Sequence, residues 1–152
     1  IKYILDGGVC AIGIESTIIN LTNKPTILRL GGLDISKIRK TLGCKIDINI
    51  NPRKKITSGQ SHLHYSPGIP LRMNILKPKN NEAFILIKKK KNKLNNYFYI
   101  STKNDLNEAA KNLYSCLRKI KNLGYKSIAV EKIPFRGIGK TINDRLERAS
   151  KF

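Results

Sequence analysis

The first third of the chain contains two apolar runs followed by an amphipathic segment. Residues 9–21 and 25–30 are largely apolar and bordered by turn-forming residues, so each run predicts a strand. Residues 33–43 place apolar side chains at helical spacing, and they predict a helix that begins at Asp34 or Ser36 and ends at a glycine. Strand, strand and helix in this order indicate an α/β layer.

The second half of the chain alternates strands and helices more regularly. Residues 83–89, 97–102 and 127–133 are short apolar runs that predict strands. Between the last two, residues 104–124 predict a long amphipathic helix, and a final helix begins near Thr141. This order indicates a small sheet, parallel at least in part, with helices packed on it.

Residues 45–70 separate these two regions and read as an interdomain linker. They lack sustained periodicity and carry several prolines and glycines. Two imidazoles and an aromatic ring lie close together in His62–Tyr65, and such groups usually dock onto a protein surface. Two histidines without a third ligand nearby are too few to predict zinc, so no protein-bound metal site is predicted.

The chain is strongly basic, with 30 Lys plus Arg against 10 Asp plus Glu and a formal net charge of +20 over 152 residues. Such a chain attracts polyanions, most of all at Lys88–Lys91. Abundant Lys, Ile and Asn are also what an AT-rich genome encodes, and no recognition helix or zinc finger accompanies the charge. A non-catalytic basic module that binds RNA or protein is therefore kept as an alternative.

Composition also bears on cellular location and redox state. No apolar stretch approaches the roughly 20 residues that cross a bilayer, and no signal peptide is recognisable, so the prediction is a cytoplasmic protein that does not enter a membrane. Cys10, Cys44 and Cys116 are far apart and odd in number. We expect them to be reduced, buried thiols.

Two segments could bind ligands on the basis of residue types alone. Arg29 ends a predicted strand before two glycines, and strand ends beside glycines often expose ligand sites in α/β sheets. Alternation would put Glu15 and Thr17 on one face of their strand and Ser16 on the other. The Gly-Lys-Thr at residues 139–141 is not a P-loop, because the glycine that such a loop needs five positions earlier is a proline.

Four motifs occur in the order that is typical of a known enzyme family. They are Asp-Gly-Gly and Gly-Ile-Glu-Ser-Thr within residues 6–20, Ile-Leu-Arg-Leu-Gly-Gly at 27–32, His-Tyr-Ser-Pro-Gly within 64–73, and Gly-Ile-Gly with Asn-Asp-Arg-Leu within 137–150. Together they resemble the long, two-domain form of threonylcarbamoyl-AMP synthase. Leu30 departs from the proline of many members, and Asp144 stands where the family has Asn directly before Arg.

The resemblance implies an α/β architecture in three parts. Residues 1–44 would be the C-terminal portion of a YrdC-like catalytic domain, residues 45–70 an interdomain linker with the His-Tyr-Ser-Pro motif, and residues 71–152 a small Rossmann-like accessory domain with a parallel sheet. The implied activity is L-threonylcarbamoyladenylate synthase, a nucleotidyltransferase. It forms threonylcarbamoyl-AMP and pyrophosphate from L-threonine, bicarbonate and ATP for the t6A37 modification of tRNA.

The resemblance also assigns roles to individual residues, although it identifies no catalytic group. Ser16 matches a serine that contacts L-threonine, and Arg29 matches an arginine that contacts ATP. His64, Tyr65 and Pro67 match the linker that lies over the active site. ATP acts as a substrate, and Mg²⁺ is expected to accompany the nucleotide.

The N-terminal region of the family that carries its Lys-x-Arg motif, and its Ser-x-Asn segment, are not represented in these residues. We therefore expect this chain to represent a C-terminal portion that is inactive alone and is completed by an N-terminal catalytic portion in cis or in trans. The product would pass to the machinery that transfers the threonylcarbamoyl group to tRNA. A remnant without present function is the remaining alternative.

Overall fold

The computed structural model describes residues 1–54, 56–60, 65–91 and 94–151. His62 and His64 lie outside these residues. Within the described ranges, no helix is both long and apolar enough to cross a membrane.

The first sheet has three strands in the order β1 (Ile18–Asn20), β2 (Thr26–Arg29) and β3 (Asp47–Ile48). The first two strands are antiparallel, and β2 pairs with β3 in parallel. A parallel pair needs a crossover connection, and helix α1 (Ile35–Leu42) supplies it. The small core of this part consists of buried apolar side chains from β2, α1 and their flanks, namely Ile27, Leu30, Ile35, Ile38 and Ile46.

Helix α1 begins and ends where the pattern predicts. The Asp34 side chain accepts a hydrogen bond from the Ser36 amide at 2.8 Å, which caps the first turn. Gly43 has φ of +63° and closes the last turn in the left-handed region that glycine adopts without steric cost. These caps position the end of β2 relative to β3.

The second sheet has four strands, all parallel, in the order β4 (Leu71–Arg72), β7 (Ile128–Val130), β5 (Ala83–Leu86) and β6 (Tyr97–Tyr99). Helix α2 (Leu106–Asn122) connects β6 to β7, and helix α3 (Gly139–Ser150) follows β7.

Both helices of this second part pack on the same face of its sheet. The buried core joins alternate residues of β5 and β7 to apolar residues of α2 and α3, including Ile85, Val130, Leu113 and Leu146. On the opposite face, Phe84 and other strand residues pack with half-buried Tyr97 and Tyr99. Central parallel strands are buried on both faces, as β5 is here, and the arrangement confirms the predicted α/β class with a parallel sheet.

Several local predictions need correction. The strand predicted over residues 9–21 is reduced to β1, because Val9 and Ile12 are exposed and the chain turns at Gly13, whose φ is +71°. Strand β3 was not predicted, although Ile46 and Ile48 alternate with polar residues. The prolines and glycines that follow obscured this signal. The two-residue strand β4 was also missed.

All three cysteines are free, but the prediction that they are buried was wrong for two of them. Cys10 and Cys44 are exposed, because one lies in the open N-terminal stretch and the other directly follows the end of α1. Cys116 lies on the buried face of α2, and burial raises the pKa of its thiol to about 12.

A close backbone approach joins residues 15–17 to the end of β2. A Cβ atom at Gly31 would lie 2.1 Å from the backbone nitrogen of Thr17 and 2.3 Å from the carbonyl carbon of Ser16. The next amide, that of Gly32, donates to the carbonyl of Glu15 at 3.1 Å. Glycine at position 31 therefore determines how closely Ser16 approaches β2.

Replacing Gly31 with alanine should force these two segments apart. We expect Gly31→Ala to lower the free energy of unfolding by about 1–3 kcal/mol, the usual cost of overpacking, as measured by urea denaturation. Gly7→Ala is the matched control, because a Cβ atom there meets nothing within 4 Å. Equal denaturation midpoints for the two variants would contradict the close approach.

Candidate substrate-binding site

The two residues predicted to contact substrates, Ser16 and Arg29, are hydrogen-bonded to each other. Arg29 ends β2, and its side chain reaches back across the sheet. Its Nε donates to the Ser16 carbonyl at 3.0 Å and its Nη2 to the Ser16 hydroxyl at 3.1 Å, while Nη1 donates to the Ser58 hydroxyl at 3.2 Å. Ser16 is exposed and Arg29 half-buried, so this pair forms a polar surface that a ligand can reach.

The linker residue Tyr65 lies beside Arg29, with Gly59 in contact with both. A Cβ atom at Gly59 would lie 2.8 Å from the Tyr65 hydroxyl and 3.0 Å from Cδ of Arg29. Gly59 has φ of +81° and Tyr65 has φ of +71°. A positive φ is uncommon for a tyrosine, so contacts around Tyr65 must hold this conformation.

Gln60 attaches the linker to the first sheet. Its side chain is almost fully buried, and its Nε2 donates to the Leu28 carbonyl of β2 at 2.9 Å. Its Oε1 accepts hydrogen bonds from the amides of Ile56 and Thr57 at 2.8 and 3.1 Å. All polar atoms of the side chain are thereby engaged in holding this segment next to Arg29.

The other end of the described linker docks on helices α2 and α3. The Tyr65 ring stacks on Tyr114 of α2 with centroids 5.6 Å apart, and the guanidinium carbon of Arg145 in α3 lies 4.8 Å from the Tyr65 centroid. Pro67 lines a cavity of about 290 Å³ together with Tyr114 and Lys121, away from Ser16. His64 lies outside the described residues.

Arg145 is the centre of a buried polar network. Its side chain is 1% exposed, its Nε donates to Glu15 Oε2 at 3.1 Å, and its Nη2 donates to the Leu30 carbonyl at 2.6 Å. Its Nη1 pairs with the carboxylate of Asp144. The Tyr114 hydroxyl also donates to Glu15 Oε2, at 3.4 Å.

Arg148 extends the network one turn along α3. Its Nε lies 3.1 Å from Asp144 Oδ1, and its Nη2 donates to the Ile50 carbonyl and to Asn51 Oδ1, both at 2.9 Å. The hydroxyl of Thr141, two turns earlier, donates to the Gly31 carbonyl at 2.9 Å. Helix α3 therefore binds the first sheet at both of its ends.

The electrostatic environment keeps the network ionised. Burial raises the pKa of Glu15. Hydrogen bonding to its own backbone amide and the charge of Arg145 together lower this pKa by more than burial raises it, so the net pKa is below the ordinary value. Burial lowers the pKa of Arg145, but the nearby Tyr65, Glu15 and Asp144 raise it by more, so the net pKa is above the ordinary value. Burial also raises the pKa of Tyr114, which remains a neutral donor at pH 7.

The sequence predicted roles for Ser16, Arg29 and Tyr65 but indicated none for the residues that hold them. The sequence does not indicate the role of Gln60, because a single glutamine is common in a segment that reads as a linker. Arg145 lies in the closing motif, but its partners Glu15, Leu30 and Tyr65 lie 80 to 130 positions away in the chain. Among the described residues, no group of three or more His, Cys, Asp or Glu could hold a metal ion.

The sequence profile described as "Threonylcarbamoyl-AMP synthase, C-terminal domain" matches residues 33–151. Curated proteins named threonylcarbamoyl-AMP synthase are similar along nearly the whole chain. The Pyrococcus abyssi protein is 29% identical over 100% of this chain and 50% of its own length, and the Bacillus subtilis protein is 27% identical over 99% and 49%. The Schizosaccharomyces pombe protein is 26% identical over 99% and 45%. The chain thus spans about half the length of these relatives.

Two solved structures have the same fold as this chain. The crystal structure of Pyrococcus abyssi Sua5 complexed with L-threonine is 27% identical, with a TM-score of 0.79, and the match covers 95% of this chain and 48% of that one. A variant of the same protein, in which a consecutive His-Tyr pair is replaced by alanine, is 25% identical with a TM-score of 0.77, covering 95% and 47%.

The lowered pKa of Glu15 predicts a pH-dependent contribution to stability. Because the folded-state pKa is below the unfolded value, this contribution is present above about pH 4.5 and is lost as the pH falls through the folded-state pKa. Glu15→Gln should therefore lower the melting temperature at pH 7. The difference in melting temperature between this variant and the unchanged chain should shrink below pH 4.5.

Thermal melts between pH 3 and pH 7 test this prediction. Glu147→Gln is the matched control, because Glu147 is 62% exposed and its ion pair with Lys151 spans 3.6 Å. Exposed pairs of this kind contribute little to stability, so the control should be nearly neutral throughout. A Glu15→Gln deficit that stayed constant with pH would contradict the assignment.

Proposed function

Because the chain belongs to the family of threonylcarbamoyl-AMP synthase C-terminal domains, we propose that it is part of an enzyme that makes threonylcarbamoyl-AMP and pyrophosphate from L-threonine, bicarbonate and ATP. The product supplies the threonylcarbamoyl group for t6A37 in tRNA, through the transfer machinery that acts next. We place this reaction in the cytoplasm.

The observation that carries the proposal is the hydrogen-bonded pair of exposed Ser16 and half-buried Arg29 beside Tyr65. A serine hydroxyl can hydrogen-bond the carboxylate of threonine without adding charge. A guanidinium has five N–H donors in a planar fork that suits phosphate oxygens, and the contacts to Ser16 and Ser58 use three of them. The acid next to this pair, Glu15, is already bound to Arg145, so it does not neutralise Arg29.

The chemistry needs positioning more than a protein nucleophile. A carboxylate oxygen of N-carboxythreonine attacks the α-phosphorus of ATP, the bond from that phosphorus to the bridging oxygen breaks, and pyrophosphate leaves with the bond electrons. Arg29 would stabilise the negative charge on the phosphates. Tyr65, docked beside Arg29, would limit access of water to the acyl-phosphate product.

Magnesium does not fit a site made by the described residues. Glu15, the carboxylate next to Ser16, accepts hydrogen bonds from Arg145 and Tyr114. Any magnesium in the reaction would therefore come bound to ATP.

This chain would supply one wall of the active-site cleft. The polypeptide portion that corresponds to the remaining half of the relatives' length would supply the other wall, in cis or in trans. The Lys-x-Arg and Ser-x-Asn motifs belong to that portion, and the division into residues 1–44, 45–70 and 71–152 remains a prediction.

The need for both walls is testable by measuring pyrophosphate release. The 152 residues alone should release essentially none with ATP, threonine and bicarbonate. The same residues, extended at their amino side by the matching half of the Pyrococcus abyssi protein or mixed with it, should release pyrophosphate only when all three substrates are present. Full turnover by the isolated chain would refute the need for a second wall, and no turnover by the extended protein would refute the proposed activity.

Substitutions in the extended protein test the two assigned roles. Ser16→Ala should raise the apparent KM for threonine and Arg29→Ala that for ATP, each about 10-fold to 100-fold, the usual range for a hydrogen bond to a charged group. Ser115→Ala and Arg39→Ala replace exposed residues on α2 and α1 and serve as controls. Unchanged KM values for both substrates would remove the assignment.

A further inference from the structure

Arg145 contacts the immediate neighbours of both proposed substrate-binding residues. Its Nε bonds Glu15, which precedes Ser16, and its Nη2 bonds the carbonyl of Leu30, which follows Arg29. These two bonds come from one rigid, planar guanidinium, so the separation of the two segments is constrained by its geometry. A lysine ammonium could keep the charge but could not span both partners in this way.

The same guanidinium also holds the linker. Its carbon lies 4.8 Å from the ring centroid of Tyr65, in a site where Arg145 is 1% exposed, and a desolvated contact of this kind is among the stronger cation–π interactions. Tyr65 keeps a positive φ of 71°, which a tyrosine adopts only where its surroundings hold it. Arg145 and the stacked ring of Tyr114 are those surroundings.

We propose that Arg145 is a positioning residue that couples docking of the linker to the geometry of Ser16 and Arg29. This inference rests on the proposed function. With Arg145 in place, one buried cation fixes both segments of the binding wall and the tyrosine beside them. If Tyr65 undocks, the cleft opens to water, and the acyl-phosphate product is hydrolysed before it is released intact.

The test uses the extended protein with Arg145→Met, Arg145→Lys and Thr141→Val. Thr141→Val removes one buried hydrogen bond from α3 to the Gly31 carbonyl and so weakens the same interface without touching Tyr65 or Glu15. The readouts are the KM for threonine, kcat, and the ratio of intact threonylcarbamoyl-AMP to pyrophosphate. A purely structural role would change the amount of folded protein but not this ratio.

We expect Arg145→Met to raise the KM for threonine about 10-fold and to lower the ratio of intact threonylcarbamoyl-AMP to pyrophosphate. Both effects would follow because the variant loses a desolvated cation–π contact and a charged hydrogen bond. The KM for threonine and the product ratio of Arg145→Lys should lie between those of Arg145→Met and those of the unchanged protein. Thr141→Val should lower the melting temperature and leave the ratio unchanged. A ratio that fell equally in Thr141→Val would overturn the positioning role.

A double-mutant cycle with Tyr65→Leu tests the coupling directly. Tyr65→Leu should lower the product ratio in the unchanged protein and have little further effect in Arg145→Met, since residues in contact are not additive. Additive effects would overturn the inference. If Arg145→Met does not fold, as circular dichroism would show, the cycle is run with Arg145→Lys.

The outcomes also separate this inference from the proposed function. Absence of pyrophosphate release in the unchanged extended protein contradicts the proposed activity. Normal release, combined with unchanged KM and product ratio in both Arg145 variants, contradicts only the positioning role.

Discussion

A buried network of charges on helix α3 joins the two parts of this protein. Arg145 and Arg148 carry two positive charges, and Asp144 and Glu15 carry two negative ones. Removing one partner from a buried pair typically costs about 3–5 kcal/mol, because the charge that remains has lost its solvent and its counter-ion. The pairs of Asp144 with Arg145 and Arg148 lie within α3, and the network is completed by Glu15 only when α3 reaches the first sheet.

This constraint explains why the small first sheet keeps a defined shape. Its apolar core contains few buried side chains, so hydrophobic burial alone gives it limited stability. Helix α3 adds hydrogen bonds to the carbonyls of Leu30, Gly31 and Ile50, which lie at two separate points along this part of the chain. The larger parallel sheet, through its last helix, thus supports the wall that bears Ser16 and Arg29.

The arrangement of charge also separates the supporting network from the pair of residues proposed to bind substrates. Glu15 is turned toward Arg145 and Tyr114, while Ser16 is exposed and bonded to Arg29. Because Glu15 is bound to Arg145 and Tyr114, it does not neutralise Arg29, and the surface formed by Ser16 and Arg29 remains positive. A positive, hydroxyl-bearing surface suits a carboxylate and a polyphosphate, which are the anionic groups of the two larger substrates proposed here.

The sequence by itself determined both longer helices, the central buried strands and the family. The limits of α1, the amphipathic face of α2 and the buried strands β5 and β7 follow from local periodicity and caps, because each depends on residues within a few turns of one another. The four ordered motifs were enough to recognise the family that the profile match confirms. The sequence also picked out Ser16 and Arg29, although only by resemblance.

Tertiary structure decided which of these residues lie together and what holds them. The strand predicted over residues 9–21 shortened to β1, and β3 appeared in the supposed linker, because strands form only where a neighbouring strand accepts their hydrogen bonds. The contacts of Arg145 with Glu15, Leu30 and Tyr65 join positions 80 to 130 residues apart. No local pattern encodes such contacts, since burial of a charge depends on every segment that surrounds it.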